Sequence, residues 1–185
     1  MDELQAVLDQ ALSLLAEGAR DPASPWRNPA LATFGTPPGL RTVVLRAFRA
    51  HDRRIELHTD ARSPKIAVLR EHPPAALHVW DPGRRIQIRA DGIIKIANSV
   101  VTDAAWAALP DRSRATYRIN AAPGTPISAP GIVKQDMPPE AARAVFSVLD
   151  FRIEGLEYLS LAHAAHQRAR FRWRGDELTA TWLVP

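Results

Sequence analysis

Apolar side chains fall at Leu4, Val7, Leu8, Ala11, Leu12 and Leu15, the three-and-four spacing that lays one apolar stripe along a helix. The spacing predicts a helix over residues 1–20, with Gly18 near its end. Residues 21–41 carry Pro22, Pro25, Pro29, Pro37, Pro38, Gly35 and Gly39, so an irregular connection is expected there, with a short strand near Leu31–Phe34. Beyond it the pattern changes to strands. Thr42–Phe48 is β-branched and apolar, the charged run Arg49–Arg54 reads as a turn, and Ile55–Thr59 returns. Ala75–Trp80 and Ile86–Ala97 form a further pair joined by Asp81-Pro82-Gly83-Arg84. In IQIRA, Ile86 and Ile88 should face inward and Gln87 and Arg89 outward.

Short helices interrupt the strands. Ser63–Glu71 opens with Ser at the N-cap and Pro at the first helical position. Thr102–Leu109 opens on a Thr cap, and Pro138–Leu149 on two prolines and Glu140. The last elements, Phe151–Leu161, Gln167–Trp173 and Glu177–Leu183, read as strands. Many strands, few helices and no regular βαβ alternation predict an α+β chain that is mainly β, a largely antiparallel barrel with flanking helices. Residues 1–185 are expected to form a single domain.

Composition narrows the chemistry. The chain has 185 residues, 46% hydrophobic and 24% charged, with room for a sizeable core. It has no cysteine, which excludes disulfides, thiolate catalysis and cysteine-based zinc sites. The sequence pI of 10.1 overstates the basic character, because 21 of the 24 basic residues are Arg and the net charge is only +4. Arg alternates with acidic residues and no exposed aromatic cluster is legible, so a nucleic-acid partner is not expected. The opening segment carries Asp2, Glu3, Asp9 and Glu17, unlike a secretory signal. The longest uncharged run, Ile119–Val133, holds three prolines and cannot be a membrane helix. A soluble, cytoplasmic protein is the expectation. His163 and His166 lack an acidic partner nearby, so no metal site is expected, and no glycine spacing fits a GxGxxG or Walker loop.

One constellation points to a ligand. Arg41 and Arg46 bracket a predicted strand, and the predicted helix from Ser63 offers free backbone N–H groups beside the Ser63 hydroxyl and the Lys65 ammonium. These groups together suit a phosphate dianion; a plain capped helix with a solvated lysine is the other reading.

Four segments in series, RTVVLR (Arg41–Arg46), LHTDARSPK (Leu57–Lys65), HPPAALHVW (His72–Trp80) and RRIQIRADG (Arg84–Gly92), resemble the pyridoxamine 5′-phosphate oxidase family. The resemblance implies an antiparallel split β-barrel that binds FMN between two subunits of a homodimer. It implies that residues 41–97 are the core flavin-binding strands. Arg41 and Arg46 would lie near the ribityl and phosphate groups, in the segment that includes Thr42, and Val43 and Val44 along the isoalloxazine. His58 stands where the family often has Tyr, and Thr59 matches a Thr beside the flavin. Ser63 and Lys65 match the outer residues of a Ser-Arg-Lys phosphate motif. Pro64 replaces its middle Arg, leaving Arg62 to supply that charge. Gln87 matches a Gln that reaches the flavin, and Arg168 an Arg contributed across the dimer. Leu159 stands in place of a flavin-side Trp. The family's Arg-Leu-His-Asp-Arg run is here Ala164-Ala165-His166-Gln167-Arg168, so the substrate-phosphate Arg is replaced while His166 stays as the substrate-side candidate. The resemblance therefore implies an FMN-dependent oxidoreductase acting on a small molecule, with pyridoxamine 5′-phosphate oxidase activity lost. A non-catalytic flavin-binding or flavin-sensing protein is the alternative, and related split barrels carry haem or a deazaflavin. Residues 119–133 are a candidate lid, or a simple surface connection.

Overall fold

The computed structural model describes residues 2–162 and 165–185. The chain forms α1 (Asp2–Arg20), a 3₁₀ turn (Pro25–Arg27), β1 (Ala30–Thr33), β2 (Gly39–Thr42), β3 (Leu45–Arg49), β4 (Arg54–Asp60), α2 (Pro64–Glu71), β5 (Pro74–Asp81) and β6 (Ile86–Ile96). Then follow α3 (Ser99–Ala108), α4 (Asp111–Ala115), α5 (Pro139–Val145), β7 (Phe146–Ser160), β8 (Gln167–Arg174) and β9 (Glu177–Leu183).

All strand pairs are antiparallel, in the order β2-β1-β5-β6-β7-β4-β3. The long strand β7 explains the shape. One edge pairs with β6 over nearly its whole length, while the other edge holds β4 along its first half and β8 along its second. The sheet divides there, and β8 carries β9 outward. It curls into a half-barrel with flanking helices, as the sequence pattern predicts. Gly92 sits at the register shift of β6 against β7, where a Cβ would meet the Arg152 carbonyl oxygen at 2.0 Å; only glycine fits this bulge.

Strict alternation builds the core. Ile86, Ile88 and Ala90 of β6 are buried with Leu77 and Val79 of β5 and Leu156 and Tyr158 of β7. The apolar stripe of α1 (Val7, Leu8, Ala11, Leu14 and Leu15) joins the same cluster, and Trp26 fills its end with no exposure. Burying side chains of this size is worth about 1.5–3 kcal/mol each, which fixes α1 on the inner face. Tyr158 donates to Gln10 Oε1 at 3.0 Å and so keeps a hydrogen bond as it is buried. A second, smaller core gathers Leu109, Phe146 and Val148 with Trp106 and Tyr117.

Several elements depart from the sequence pattern. Gly39–Thr42, expected within an irregular connection, forms β2 against β1. The expected Thr42–Phe48 strand is broken where Val43 turns its N–H to the Pro29 carbonyl at 2.9 Å, so that β3 begins at Leu45 and carries a bulge before Ala47. The helix expected from Thr102 starts a turn earlier: Asn98 is the cap, accepting from Val101 N–H at 3.1 Å, while the Thr102 hydroxyl donates back to the Asn98 carbonyl. The helix expected over Pro138–Leu149 stops at Val145, and Phe146 begins β7. Pairing of Phe146, Ser147, Val148 and Leu149 with β4 overrides local helix propensity. The short helix α4 had no clear signal in the sequence.

Candidate functional site

The site grows from the end of β4. Thr59 is buried on the inner side of the strand, and the chain turns at Asp60, whose carbonyl accepts from Ser63 N–H at 3.0 Å. Pro64 then opens α2 with Ser63 as N-cap, as expected. The Ser63 hydroxyl makes no cap bond; it accepts from Lys65 Nζ at 2.7 Å, and Thr59 Oγ1 accepts from the same ammonium at 2.7 Å. Burial, together with the positive charge of Arg41, pushes the Lys65 ammonium below its ordinary pKa despite the opposing pull of Asp60. Arg41 reaches in from β2 and donates to Thr33 Oγ1 at 2.8 Å and, at 3.4 Å, to the Leu31 carbonyl. Its guanidinium lies over Gly39, where a Cβ would stand 2.1 Å from it. Burial lowers the Arg41 pKa as well. Arg46 stands at the β3 bulge, and its Nε is buried without a hydrogen-bond partner.

Among the described residues no carboxylate lies within salt-bridge distance of Arg41, Arg46 or Lys65. The partners of Arg41 and Lys65 are hydroxyls and a carbonyl, which leave the positive charge intact. A half-buried cluster of this kind, beside the N–H groups of a helix start, has the chemistry to hold an anion. Thr59, Ser63, Lys65 and Arg41 are brought together; Arg46 acts on Arg27, whose pKa is lowered by its own burial and by the Arg46 charge.

The other residues singled out from the sequence occupy distinct settings. His58 points to the opposite side of β4 from Thr59, bonds Glu56 Oε1 through Nε2 at 2.8 Å and packs edge-on against Phe146, with Nδ1 buried and unpartnered. That hydrogen bond holds the Glu56 carboxyl below its usual range against the effect of burial. Tyr117 shares the aromatic cluster, and burial pushes its phenol up to about 12, with Arg46 opposing and Asp60 adding. Arg62 is bound to Asp60 through Nη2 at 2.7 Å and Nε at 3.0 Å, and to the carbonyls of Ile119 and Asn120 at 2.9 and 2.8 Å. Thr42 is exposed at the end of β2, and Val43 and Val44 form the half-buried link to β3.

The outer sheet face holds the rest. Gln87 pairs across the strands with Leu159, and Leu159 with Arg168. Gln87 Oε1 meets His78 Nε2 at 3.1 Å. Arg168 and Arg170 both donate to Glu157, each at 2.9 Å, and Arg89 stands 3.7 Å from the same carboxylate. His166 is exposed just before β8. Ala164 and His163 lie outside the described residues. No group of three or more potential metal ligands occurs among the described residues. Sequence reasoning missed Thr33 and Gly39, the seat of Arg41, since only the β1–β2 register brings them beneath it. It also missed Asp60, although a carboxylate two residues before Arg62 was a readable turn signal.

A half-barrel sheet that divides along one long strand, with a basic cluster beside a helix start, has the architecture of a split barrel. The FMN-binding domain of pyridoxamine 5′-phosphate oxidase matches residues 6–98, and the chain belongs to this family. Among solved structures, a pyridoxamine 5′-phosphate oxidase-related, FMN binding protein from Nostoc punctiforme PCC 73102 is similar, with 22% identity, 96% of each chain covered and a TM-score of 0.76. PhzG from Burkholderia lata 383, solved with tetrahydrophenazine-1-carboxylic acid, shows 16% identity, covers 98% of this chain and 92% of its own, and has a TM-score of 0.72. A protein from Clostridium acetobutylicum related to general stress protein 26 of B. subtilis shows 13% identity, covers 91% of this chain and 94% of its own, and has a TM-score of 0.58. The TM-scores establish the shared fold. No curated protein matches the chain.

Proposed function

We propose that the chain binds FMN and works as an FMN-dependent oxidase or reductase on a small molecule. The observation that carries this reading is the pair Arg41 and Lys65, half-buried beside Ser63 and the start of α2 with only neutral oxygens as partners. Bound FMN supplies the redox chemistry, so the chain's own task is to hold, orient and shield it. In this reading Arg41, Ser63 and Lys65 hold the phosphate, Thr59 steadies Lys65, and Arg46 adds charge from the bulge. Val43, Val44 and Gln87 border the ring, and Arg168 comes from a second copy.

A homodimer is part of the proposal. The outer-face row of Trp80, Gln87, Leu159 and Arg168 is partly open to solvent, with Trp80 40% exposed, and a second copy is the occupant that the cofactor site calls for. The protein is proposed to be cytoplasmic; no helix among the described residues is long and apolar enough to cross a membrane. Replacement of the family's substrate-phosphate Arg by Ala164 argues for a substrate other than pyridoxamine 5′-phosphate, since a methyl group cannot take over a guanidinium's paired hydrogen bonds.

The test is an absorption spectrum of the purified protein followed by titration with FMN and with riboflavin. A flavin spectrum and a marked preference for FMN are expected; a haem spectrum, or equal affinity for both flavins, overturns the reading. Sedimentation with and without FMN should show a dimer strengthened by the cofactor. Turnover of a reduced nicotinamide donor separates an enzyme from a non-catalytic flavin binder.

A further inference from the structure

Arg62 is the basic residue nearest the anion site in sequence, yet it faces away from that task. Its guanidinium bonds both oxygens of Asp60, whose Oδ1 also accepts from the Arg62 backbone N–H at 2.7 Å. This carboxylate fork cancels the charge and fixes the plane of the guanidinium. The remaining N–H groups point across to two successive carbonyls, Ile119 and Asn120. These two residues open the long segment that ends near Asp136. Its two ends are clipped together: Arg118 Nε donates to the Met137 carbonyl at 2.7 Å, Met137 N–H donates back to the Arg118 carbonyl at 3.0 Å, and Asn120 bonds the Asp136 carboxylate. Between these ends residues 123–132 are exposed, with Ile127 and Ile132 carrying 45% and 55% of their surface in solvent. Arg62 is therefore the charged side chain that joins this segment to the Asp60–Ser63 turn, one residue from the proposed phosphate ligand.

We propose that Arg62 is a positioning residue, a bolt held by Asp60 that fixes the stem of residues 119–136 against the turn bearing Ser63 and Lys65, and not itself a ligand of the phosphate. The part of the inference that concerns flavin affinity rests on the FMN reading above; the part that concerns the segment does not. A phosphate ligand matters only when phosphate is present. A bolt matters to the flavin-free protein as well, because the turn and the segment lose their mutual support with no ligand bound.

Two measurements separate these roles. In hydrogen exchange on the full-length protein without flavin, R62Q is expected to speed exchange of the Met137 amide and its neighbours in 118–137 by about tenfold, while the amides of β6 and β7 keep their rates. D60N should do the same, and the double variant should exchange no faster than either single one, because the two residues act as one unit. R62K keeps the charge but loses the fork, and should behave like R62Q. In flavin titration R62Q, R62K and D60N should all weaken FMN by the same factor, about three- to tenfold, because Ser63 and Lys65 lose their support whichever half of the fork is removed. Rescue of FMN affinity by R62K, or FMN affinity kept or raised in D60N, would make Arg62 a phosphate ligand and overturn the proposal, as would unchanged exchange in 118–137. If the wild-type protein binds neither flavin, the FMN reading fails, and the exchange experiment still decides whether Arg62 bolts the segment. If R62Q does not fold, R62K and D60N carry the same two measurements.

Discussion

Two basic regions of this chain use the same residue types to opposite ends. On the outer face, Arg168, Arg170 and Arg89 converge on the single carboxylate of Glu157, and Arg172 pairs with Asp91. Gly155 makes room for that second pair, since a Cβ there would meet both Arg172 and Asp91. At the start of α2, Arg41 and Lys65 have hydroxyls and carbonyls but no carboxylate. In the first region every cation reaches a carboxylate, two carboxylates serving four guanidiniums, while in the second, among the described residues, the cations reach none and sit in a half-buried place. Their difference shows that an Arg count says little about ligands; what matters is whether the fold brings a counter-ion to each cation.

The sharpest way to break this comparison is to remove one cation from each region. Lys65→Ala should weaken FMN by roughly ten- to a hundredfold, the worth of one charge-assisted hydrogen bond to a dianion, and leave riboflavin within about twofold. Calorimetric titration of both ligands measures it. Arg170→Ala should leave both affinities within about twofold, because its charge is already spent on Glu157.

Removing the counter-ion tests the other half. Glu157→Gln leaves three guanidiniums facing one another and should cost about 1 kcal/mol, a figure reduced by the partial exposure of the arginines, seen as a drop of a few degrees in Tm. The pH dependence has a definite sign. Burial raises the Glu157 pKa, but the hydrogen bonds from Arg168 and Arg170 outweigh it and hold the carboxyl below its ordinary value. Its stabilisation is thus fully present above the unfolded carboxyl pKa and is lost as pH falls through the depressed folded value. Denaturant unfolding from neutral to acid pH should show a shallower decline for Glu157→Gln than for the wild type.

The pH titration of Lys65 gives the smallest and most selective effect. Burial and Arg41 depress its pKa below the ordinary 10.5. The ligand-free fold therefore bears a penalty for the charged form, relieved as pH rises through the lowered folded value. FMN binding needs the charged form, so FMN affinity should begin to fall at a lower pH than an unperturbed lysine would impose, while riboflavin affinity stays flat. Parallel titrations between pH 7 and 10 check the difference; parallel declines for the two flavins would remove Lys65 from the phosphate site.

Much of the frame was legible without coordinates. IQIRA shows its two faces in five residues, with Ile86, Ile88 and Ala90 buried and Arg89 exposed. Ser63-Pro64 marks a helix start from local backbone chemistry alone. The site was legible in part, because Ser63, Thr59 and Lys65 are close in sequence and their meeting needs only a turn and a helix start. The seat of Arg41 was not, since Thr33 and Gly39 reach it through the β1–β2 register. Arg62 shows the limit most clearly: its charge is readable, but Ile119 and Asn120, which it binds, are more than fifty residues away.

The sequence by itself determined β4, β5, β6, β8 and β9, the two faces of β6 over Ile86–Ala90, the start of α2 and the hydroxyl and ammonium groups beside it, because these follow from periodicity and capping over a few neighbouring residues. Only the tertiary structure decided where β7 begins and which cations remain without a carboxylate. Phe146 is drawn from helix to strand by pairing with Asp60 of β4, and the charge of each arginine is spent or kept according to partners that distant segments bring within reach. Coulomb energy and desolvation depend on distances in space, and separation along the chain does not encode them.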